Sequence, residues 1–430
     1  METGLIEVAW QDASGARRGA WLSPGAAAPD RASAVGDRTT AAEAVSRARG
    51  GEGLVYRGDY HNARQLLAAM RRRLARGRRP VRGPPIAAFR ADRARREEEA
   101  RVLSRLLVPV EPGWRVALSR APDVVAACEE ALGPAPSGPG LLPLRDLLGL
   151  VGAHEWRRRG VAVAALGGRV HPHYGVYAPV RSEYVDLVAE ACARWPPSGL
   201  ALDAGTGTGV LAILLALRGA ARVVAADLEP RAVACARENA ERFAVADRIR
   251  AVEADLFPAG AAGDPAAPRY DLVVCNPPWI PGEPHGPLDR AVYDPGGSVL
   301  ERFVLGVRDR LAERGEAWLV LSDLAERAGR RPPGHVTVLA SRGGLRIADT
   351  VSARPHHPRA TDPDDPLHAL RSSETTFLYR LVRARVTAPP DSPGSAISAA
   401  SAPPPAPSTP PRTSPGRRRG SRSAPTRASR

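Results

Sequence analysis

Four short apolar runs between Gly199 and Trp279 each stop on residues that do not suit a strand interior, and this pattern constrains the fold more than any other feature. The first, Leu200-Ala201-Leu202-Asp203-Ala204, breaks into Gly205-Thr206-Gly207-Thr208-Gly209 and is followed by an apolar helix from Val210 to Leu215. The second, from Arg222, ends on Asp227, and the third, from Ile249, ends on Asp255. The fourth, Tyr270 to Cys275, runs straight into Asn276-Pro277-Pro278-Trp279. Strands alternating with helices build a parallel α/β sheet. Ligands of open sheets of this kind sit beyond the carboxyl ends of the strands. All four endings are therefore expected to line one crevice.

The order Asp203-x-Gly205-x-Gly207-x-Gly209, Asp227, Asp255 and Asn276-Pro277-Pro278-Trp279 resembles a class I S-adenosylmethionine-dependent methyltransferase. Its Asn-Pro-Pro-aromatic ending is similar to that of the amino-group N-methyltransferases. Among these it resembles the small-domain enzymes, which include those that methylate glutamine in release factors and in a ribosomal protein. The resemblance runs from Val161 to Ala325. It implies an α/β fold, a Rossmann-like class I methyltransferase sheet with a small N-terminal helical domain, the last strands forming an antiparallel hairpin. It also implies S-adenosylmethionine as cofactor, bound through Asp203, Gly205, Thr206, Gly207, Gly209, Asp227, Asp255 and Asn276. Asn276, Pro277 and Trp279 take the catalytic places.

Each piece has a physical rationale and a plainer alternative. Three alternating glycines let the backbone turn tightly and approach a ligand. The helix behind them offers free N–H groups and a positive dipole end to a carboxylate. A dinucleotide-binding loop would place its third glycine at position 210, where Val210 stands. Asp227 is placed to accept from both ribose hydroxyls, although an acid there also serves as a helix N-cap, with Pro230 suiting the first turn. Asp255 is placed to accept from the adenine amino group, yet Ala254-Asp255-Leu256-Phe257 is also an ordinary strand-to-loop sequence. The lone pair of an amide or exocyclic amine is delocalised, so its nitrogen is a poor nucleophile. The Asn276 side-chain carbonyl and the Pro277 main-chain carbonyl can each accept one N–H of such a group and aim its lone pair. Two prolines make these acceptors preorganised, and Trp279 offers a flat face to a planar group.

The charge asks for a partner less strongly than its size suggests. A net charge of +15 on 430 residues points toward nucleic acid. All 61 basic residues are arginine, however, and they accompany 43 prolines and 41 glycines, which reads as compositional bias. Fifteen arginines against five acids lie between Arg57 and Arg105, and seven against one from Thr387 onward, so the catalytic half is near neutral. The cysteines Cys128, Cys192, Cys235 and Cys275 form no C-x-x-C pair and are read as buried free thiols. His171 and His173 alternate without a third ligand at suitable spacing, so no metal is expected. No secretory signal is expected from Met1-Glu2-Thr3-Gly4-Leu5, and the longest apolar run, Val210 to Leu217, is too short for a bilayer. A soluble, cytoplasmic protein without a membrane partner is expected.

In order, residues 1–50 are rich in Ala, Gly, Arg and Ser and are expected to be a disordered extension. Residues 51–160 are read as a helical domain, with helices from Tyr60, over Ala91 to Leu107, Val124 to Leu132 and Leu141 to Leu150. Residues 161–183 form a β-hairpin linker around Gly167-Gly168, and residues 184–386 the catalytic domain. There a helix from Ser298, a strand from Glu316, a strand over His335 to Ser341 and a last strand from Thr375 are expected, with His356 and His357 in a loop. Residues 387–430, rich in Pro, Ser and Arg, form a disordered tail.

The leading function is S-adenosylmethionine-dependent N-methylation of a planar amino group, first of all a protein glutamine amide, with a translation-related protein as partner. The same chemistry on an adenine or guanine amino group of RNA or DNA is the alternative. A cofactor-binding protein without catalysis, acting through its basic segments, is the third reading, and an intact Asn276 and Asp203 speak against it. A chain ending at Val386 is expected to keep its cofactor affinity and melting temperature, since the tail cannot bury a core. Calorimetry and thermal unfolding of the truncated chain check this.

Overall fold

The computed structural model describes residues 6–12, 15–76, 84–258, 267–284, 287–355, 361–363 and 365–384. His356, His357 and the tail from Thr387 lie outside the described residues. The N-terminal half contains β1 (Glu7–Asp12), β2 (Gly15–Trp21), β3 (Ala32–Val35), α1 (Ala41–Arg49), β4 (Gly53–Tyr56), α2 (Tyr60–Ala75) and α3 (Pro85–Leu103). It continues through β5 (Leu106–Glu111), β6 (Arg115–Val116), α4 (Val125–Leu132), β7 (Gly140–Pro143) and α5 (Leu144–Arg159).

These strands close on themselves. The order is β4-β3-β1-β2-β7-β5, and β5 pairs back onto β4 through Leu54–Leu106 and Val55–Leu107, giving a six-stranded barrel. Val8, Trp10, Trp21, Val55, Leu107 and Leu141 share one apolar cluster. The alternate residues Leu54, Tyr56, Leu106, Val108 and Leu142 cluster with Ala44, Leu67 and Leu147 of α1, α2 and α5. Alternation along each strand thus fills the barrel on one side of its wall and seats helices on the other.

The barrel corrects two expectations: the N-terminal domain is α/β rather than helical, and the first fifty residues, expected as a disordered extension, supply β1, β2, β3 and α1. The periodicity was there in β1, where Val8 and Trp10 are buried between exposed Glu7, Ala9 and Gln11. Strands of four to seven residues rich in Ala, Gly and Arg carry little of it, and β2 exposes its first four residues. The expected helix over Leu141 to Leu150 is β7 followed by α5, and the one ending at Leu107 stops at Leu103 before β5.

The linker hairpin is β8 (Val161–Val163) against β9 (Gly168–Val170). The catalytic half contains α6 (Glu183–Arg194), β10 (Leu200–Ala204), α7 (Val210–Leu217), β11 (Arg222–Asp227), α8 (Pro230–Arg242), β12 (Ile249–Glu253), β13 (Tyr270–Cys275), β14 (Ile280–Pro281) and β15 (Tyr293–Asp294). It ends with α9 (Ser298–Val307), β16 (Leu311–Ser322), α10 (Leu324–Arg327), α11 (His335–Arg342), β17 (Leu345–Ala353), a short helix His368–Ser372 and β18 (Thr376–Arg383). The sheet order is β12-β11-β10-β13-β16-β18-β17, parallel except for β18, which is antiparallel to both β16 and β17. Ala201, Val223, Leu272 and Val274 pack with α6 and α7, whereas Leu202, Val224, Val273 and Cys275 pack with α9 and α11. Burial on both faces explains why these strands read as continuous apolar runs.

The strand expected over His335 to Ser341 is α11, and Leu345–Ala353 supplies the strand instead. Val336, Thr337 and Val338 have high strand propensity, but Val336, Leu339 and Ala340 recur at helical spacing and are buried while Val338 is exposed. Packing of one helical face outweighs propensity here.

The barrel makes a testable difference. Trp10→Ala is expected to destabilise the chain by about 3–5 kcal/mol, as for a buried large aromatic. Denaturant titration checks this; a structureless extension would leave the midpoint unchanged.

Candidate active site

The order of the sheet reverses at β10, which lies between β11 and β13. Ala204 stands opposite Ala226 on one side and Cys275 on the other, so the glycine turn, Asp227 and Asn276 leave adjacent strands side by side. Gly205, Gly207 and Gly209 have φ of +80°, +53° and +81°. A side chain at Gly209 would run into the Ala236 backbone at 2.9 Å, so this glycine is required by packing of the turn on α8. At Gly205 and Gly207 a side chain would meet nothing within 4 Å. The turn is thus sealed against the protein on one side and open on the other, which suits close approach of a cofactor to its backbone.

Asp203 is buried beneath the turn. Its Oδ2 accepts from Thr206 Oγ1 at 2.6 Å and from the Ala212 N–H at 3.0 Å, while Oδ1 is buried without a partner. Burial pushes its carboxyl up to about 6 from 3.8, against the lowering effect of those two bonds. Asp227 accepts from the Gly207 N–H at 2.9 Å and the Glu229 N–H at 3.0 Å. Glu229 is the N-cap residue of α8, so Asp227 braces the turn rather than capping the helix. Burial raises its pKa against the lowering effect of the backbone bonds it accepts. Asp255 is half exposed, and its carboxylate is paired with Arg302 of α9 at 2.5 Å. Leu256 and Phe257 beside it pack on the sheet, Phe257 stacking on Phe303 at 6.1 Å. An orphaned buried carboxylate oxygen and two glycines with open space fit a small polar cofactor at this crevice.

Asn276 is half-buried at the end of β13, where its Oδ1 accepts from Trp279 Nε1 at 2.8 Å. The segment after it is gripped along both edges. Ile280 and Gly282 donate to the carbonyls of Val292 and Asp294 at 3.1 and 2.9 Å. On the opposite edge, Arg331 donates to the Trp279 carbonyl at 2.9 Å and Arg330 to that of Pro281 at 2.7 Å. Arg93, from α3 of the N-terminal half, reaches the Glu283 carbonyl. Asp294, fully buried, caps α9 through the N–H groups of Val299 and Leu300.

Several residues of this site were not singled out in the sequence. Arg181 stacks on Trp279, its guanidinium carbon 4.9 Å from the ring centroid. It donates to Glu183 at 2.6 Å and Glu374 at 2.9 Å, and Ser322 Oγ also donates to Glu374 at 2.6 Å. Arg181 and Glu183 carry a weak signal, because they close the linker of residues 161–183 that leads into the catalytic domain. Arg331 and Glu374 carry none, since only folding brings them to the loop. Asn239 of α8 joins the glycine turn to the linker, donating to the Thr208 carbonyl at 3.0 Å and accepting from the His171 N–H at 2.8 Å. His171 bonds the Arg157 carbonyl and His173 bonds Glu238. All four cysteines are buried and free. Among the described residues no helix is long and apolar enough to cross a membrane.

A doubly covered sheet with an antiparallel penultimate strand carries a glycine turn over a buried Asp203 and, beside it, an Asn-Pro-Pro-Trp loop. Residues 183–330 match the family described as Methyltransferase small domain, and this region of the chain belongs to that family, whose methyl donor is S-adenosylmethionine. The release factor glutamine methyltransferase of Chlorobaculum tepidum is 47% identical over 121 residues, 26% of this chain and 41% of that protein. The enzyme of the same name from Cereibacter sphaeroides is 34% identical over 165 residues, 36% of this chain and 56% of its own. A tRNA1(Val) (adenine(37)-N6)-methyltransferase of Porphyromonas gingivalis is 39% identical over 87 residues, 20% and 34% of the two chains. The chain thus spans about half the length, or less, of these relatives.

The raised pKa of Asp203 gives a prediction with a defined sign. Its protonated form stabilises the fold fully below 3.8, and that contribution is lost as pH rises through about 6. Asp203→Asn is therefore expected to gain roughly 2–3 kcal/mol over the parent at pH 8 and to converge with it near pH 4. Thermal unfolding across pH checks this; a gap that does not depend on pH would remove the burial argument.

Proposed function

We propose that this chain transfers the methyl group of S-adenosylmethionine to a planar –NH2, with a protein glutamine amide as the first acceptor. The observation that carries this is Asn276: a carbonyl oxygen held in one orientation at a strand end, beside the glycine turn and inside a loop braced on both edges. The cofactor, when bound, supplies an electrophilic methyl on a sulfonium. Gly205, Thr206 and Gly207 offer it backbone, Asp203 Oδ1 and Asp227 offer acceptors for its polar groups, and Asp255 lies at the next strand end. Asn276 Oδ1 and the Pro277 carbonyl each accept one N–H of the acceptor. That orients its nitrogen lone pair and favours the in-line geometry, so the rate gain comes from positioning. The N–CH3 bond would form as the S–CH3 bond breaks, S-adenosylhomocysteine leaving as a neutral thioether and one nitrogen proton passing to solvent, so no covalent enzyme intermediate is needed.

Two relatives whose names state glutamine methylation of release factors support a protein acceptor. The adenine amino group is the second reading, supported by the tRNA relative. Both present the same two hydrogens to Asn276 and Pro277. Incubation with methyl-labelled S-adenosylmethionine and either purified release factor or bulk tRNA separates them: label is expected in protein, and label in tRNA alone transfers the proposal to the base.

On the labelled acceptor, Asn276→Ala is expected to reduce turnover on the order of a hundred-fold, as for loss of one preorganised polar group. Cofactor affinity should stay within about two-fold, because Asn276 acts on the transferring step. Asn276→Asp keeps an acceptor of the same shape and should retain part of the activity. Wild-type turnover by Asn276→Ala would show the loop to be a structural turn.

A further inference from the structure

We infer that Trp279 is a positioning residue: its indole N–H sets the orientation of the Asn276 carboxamide, and Arg181 holds the ring for that task. This rests on the reading of Asn276 as an acceptor for the target amino group, and it gives Trp279 a task beyond offering a flat face to a planar group.

An indole N–H can only donate. The Asn276 atom it faces at 2.8 Å is therefore the carbonyl oxygen, whichever way the carboxamide is drawn. A carbonyl oxygen has two lone pairs. One is used by Trp279, and the other is left for an incoming N–H. Without the indole bond the carboxamide is free to rotate and present its own NH2, a donor, to the donor it must receive. Phenylalanine and tyrosine have no ring N–H at this place, so the device belongs to tryptophan.

The ring is held on several sides. One face lies under the Arg181 guanidinium. Arg181 is fixed between Glu183 and Glu374, whose side chains are 1% and 0% exposed. Moving it off the ring would leave two buried carboxylates without their cation, which is strongly unfavourable. The ring also packs against three apolar clusters, one of them containing Phe89, Ile280 and Leu324. Arg331 holds its main-chain carbonyl. A side chain held in this way fixes the direction of its N–H well.

Trp279→Phe deletes the donor and keeps the ring. Turnover by the full chain, on whichever acceptor takes label above, is expected to fall on the order of ten-fold, the effect of one hydrogen bond. Affinity for S-adenosylmethionine should be unchanged. In the Asn276→Ala background the same substitution should cost nothing further, since its effect passes through Asn276. Arg181→Lys keeps the charge and loses the planar stack, and should likewise lower turnover without changing cofactor affinity or the melting temperature by much. A readout that needs no acceptor is the indole N–H resonance in 15N-labelled protein, assigned by its absence from Trp279→Phe. It should shift in Asn276→Ala. Wild-type turnover in Trp279→Phe beside a crippled Asn276→Ala overturns this inference and leaves the acceptor reading standing. Additive losses in the double variant, or an indole resonance unmoved by Asn276→Ala, overturn it too. Wild-type turnover in Asn276→Ala overturns the acceptor reading itself. If Trp279→Phe fails to fold, Trp279→Tyr, which also lacks the indole N–H, supplies the assignment and the resonance decides.

Discussion

Parallel pairing of β10 with β13 is the constraint on which the site depends. It sets Asp203 opposite Val274 and Ala204 opposite Cys275, so that the glycine turn and Asn276 begin one residue further on, at the same height. A slip of one residue would turn every side chain of a strand to the other face. In a sheet that is apolar on both faces, burial alone penalises such a slip weakly. On its other side, against β11, polar groups fix the place of β10 and its turn. The Gly205 and Thr206 N–H groups both donate to the Ala226 carbonyl, Asp203 ties the strand to Thr206 and Ala212, and Asp227 holds the Gly207 N–H. The residues expected to meet the cofactor also hold the register, and that double duty explains a carboxylate buried with one oxygen unpaired.

Arginine explains the rest of the loop and much of the charge. A guanidinium presents several donors in a rigid plane and stacks on aromatic faces. Arg331 and Arg330 satisfy alternate carbonyls after Trp279, Arg181 covers the indole, and Arg380 covers Trp195 while pairing with Glu316. Arg331 is only 5% exposed. A chain without lysine uses arginine where backbone or amide donors would serve elsewhere, so its formal charge overstates the field it offers a polyanion.

What could be read beforehand follows from how local each signal is. The glycine turn, Asp203, Asp227 and the Asn276 loop were legible because strand, turn and helix are contiguous and each needs particular residue types. The barrel was missed because its information lies in pairings, β4 with β5 and β2 with β7, across dozens of residues, with Trp10 and Trp21 the main local trace. Trp279 was legible as the aromatic of the loop, but not the Arg181 that stacks on it, whose partner Glu374 lies 193 residues away in the chain. His335 to Ser341 was misread because two valines and a threonine imitate a strand. Asp255 was placed at a strand end, but its partner Arg302 stands on another element.

The N-terminal half braces the segment after Trp279 through α3. Phe89 packs with Ile280, Leu324, Leu367 and Leu370, and Arg93 covers Tyr293 at 4.3 Å while reaching the Glu283 carbonyl. These contacts lie on the segment that follows the acceptor loop. A catalytic half cut away from α3 would expose that apolar cluster and leave one carbonyl of the strap without its donor. The loop's rigidity is therefore a property of the whole unit.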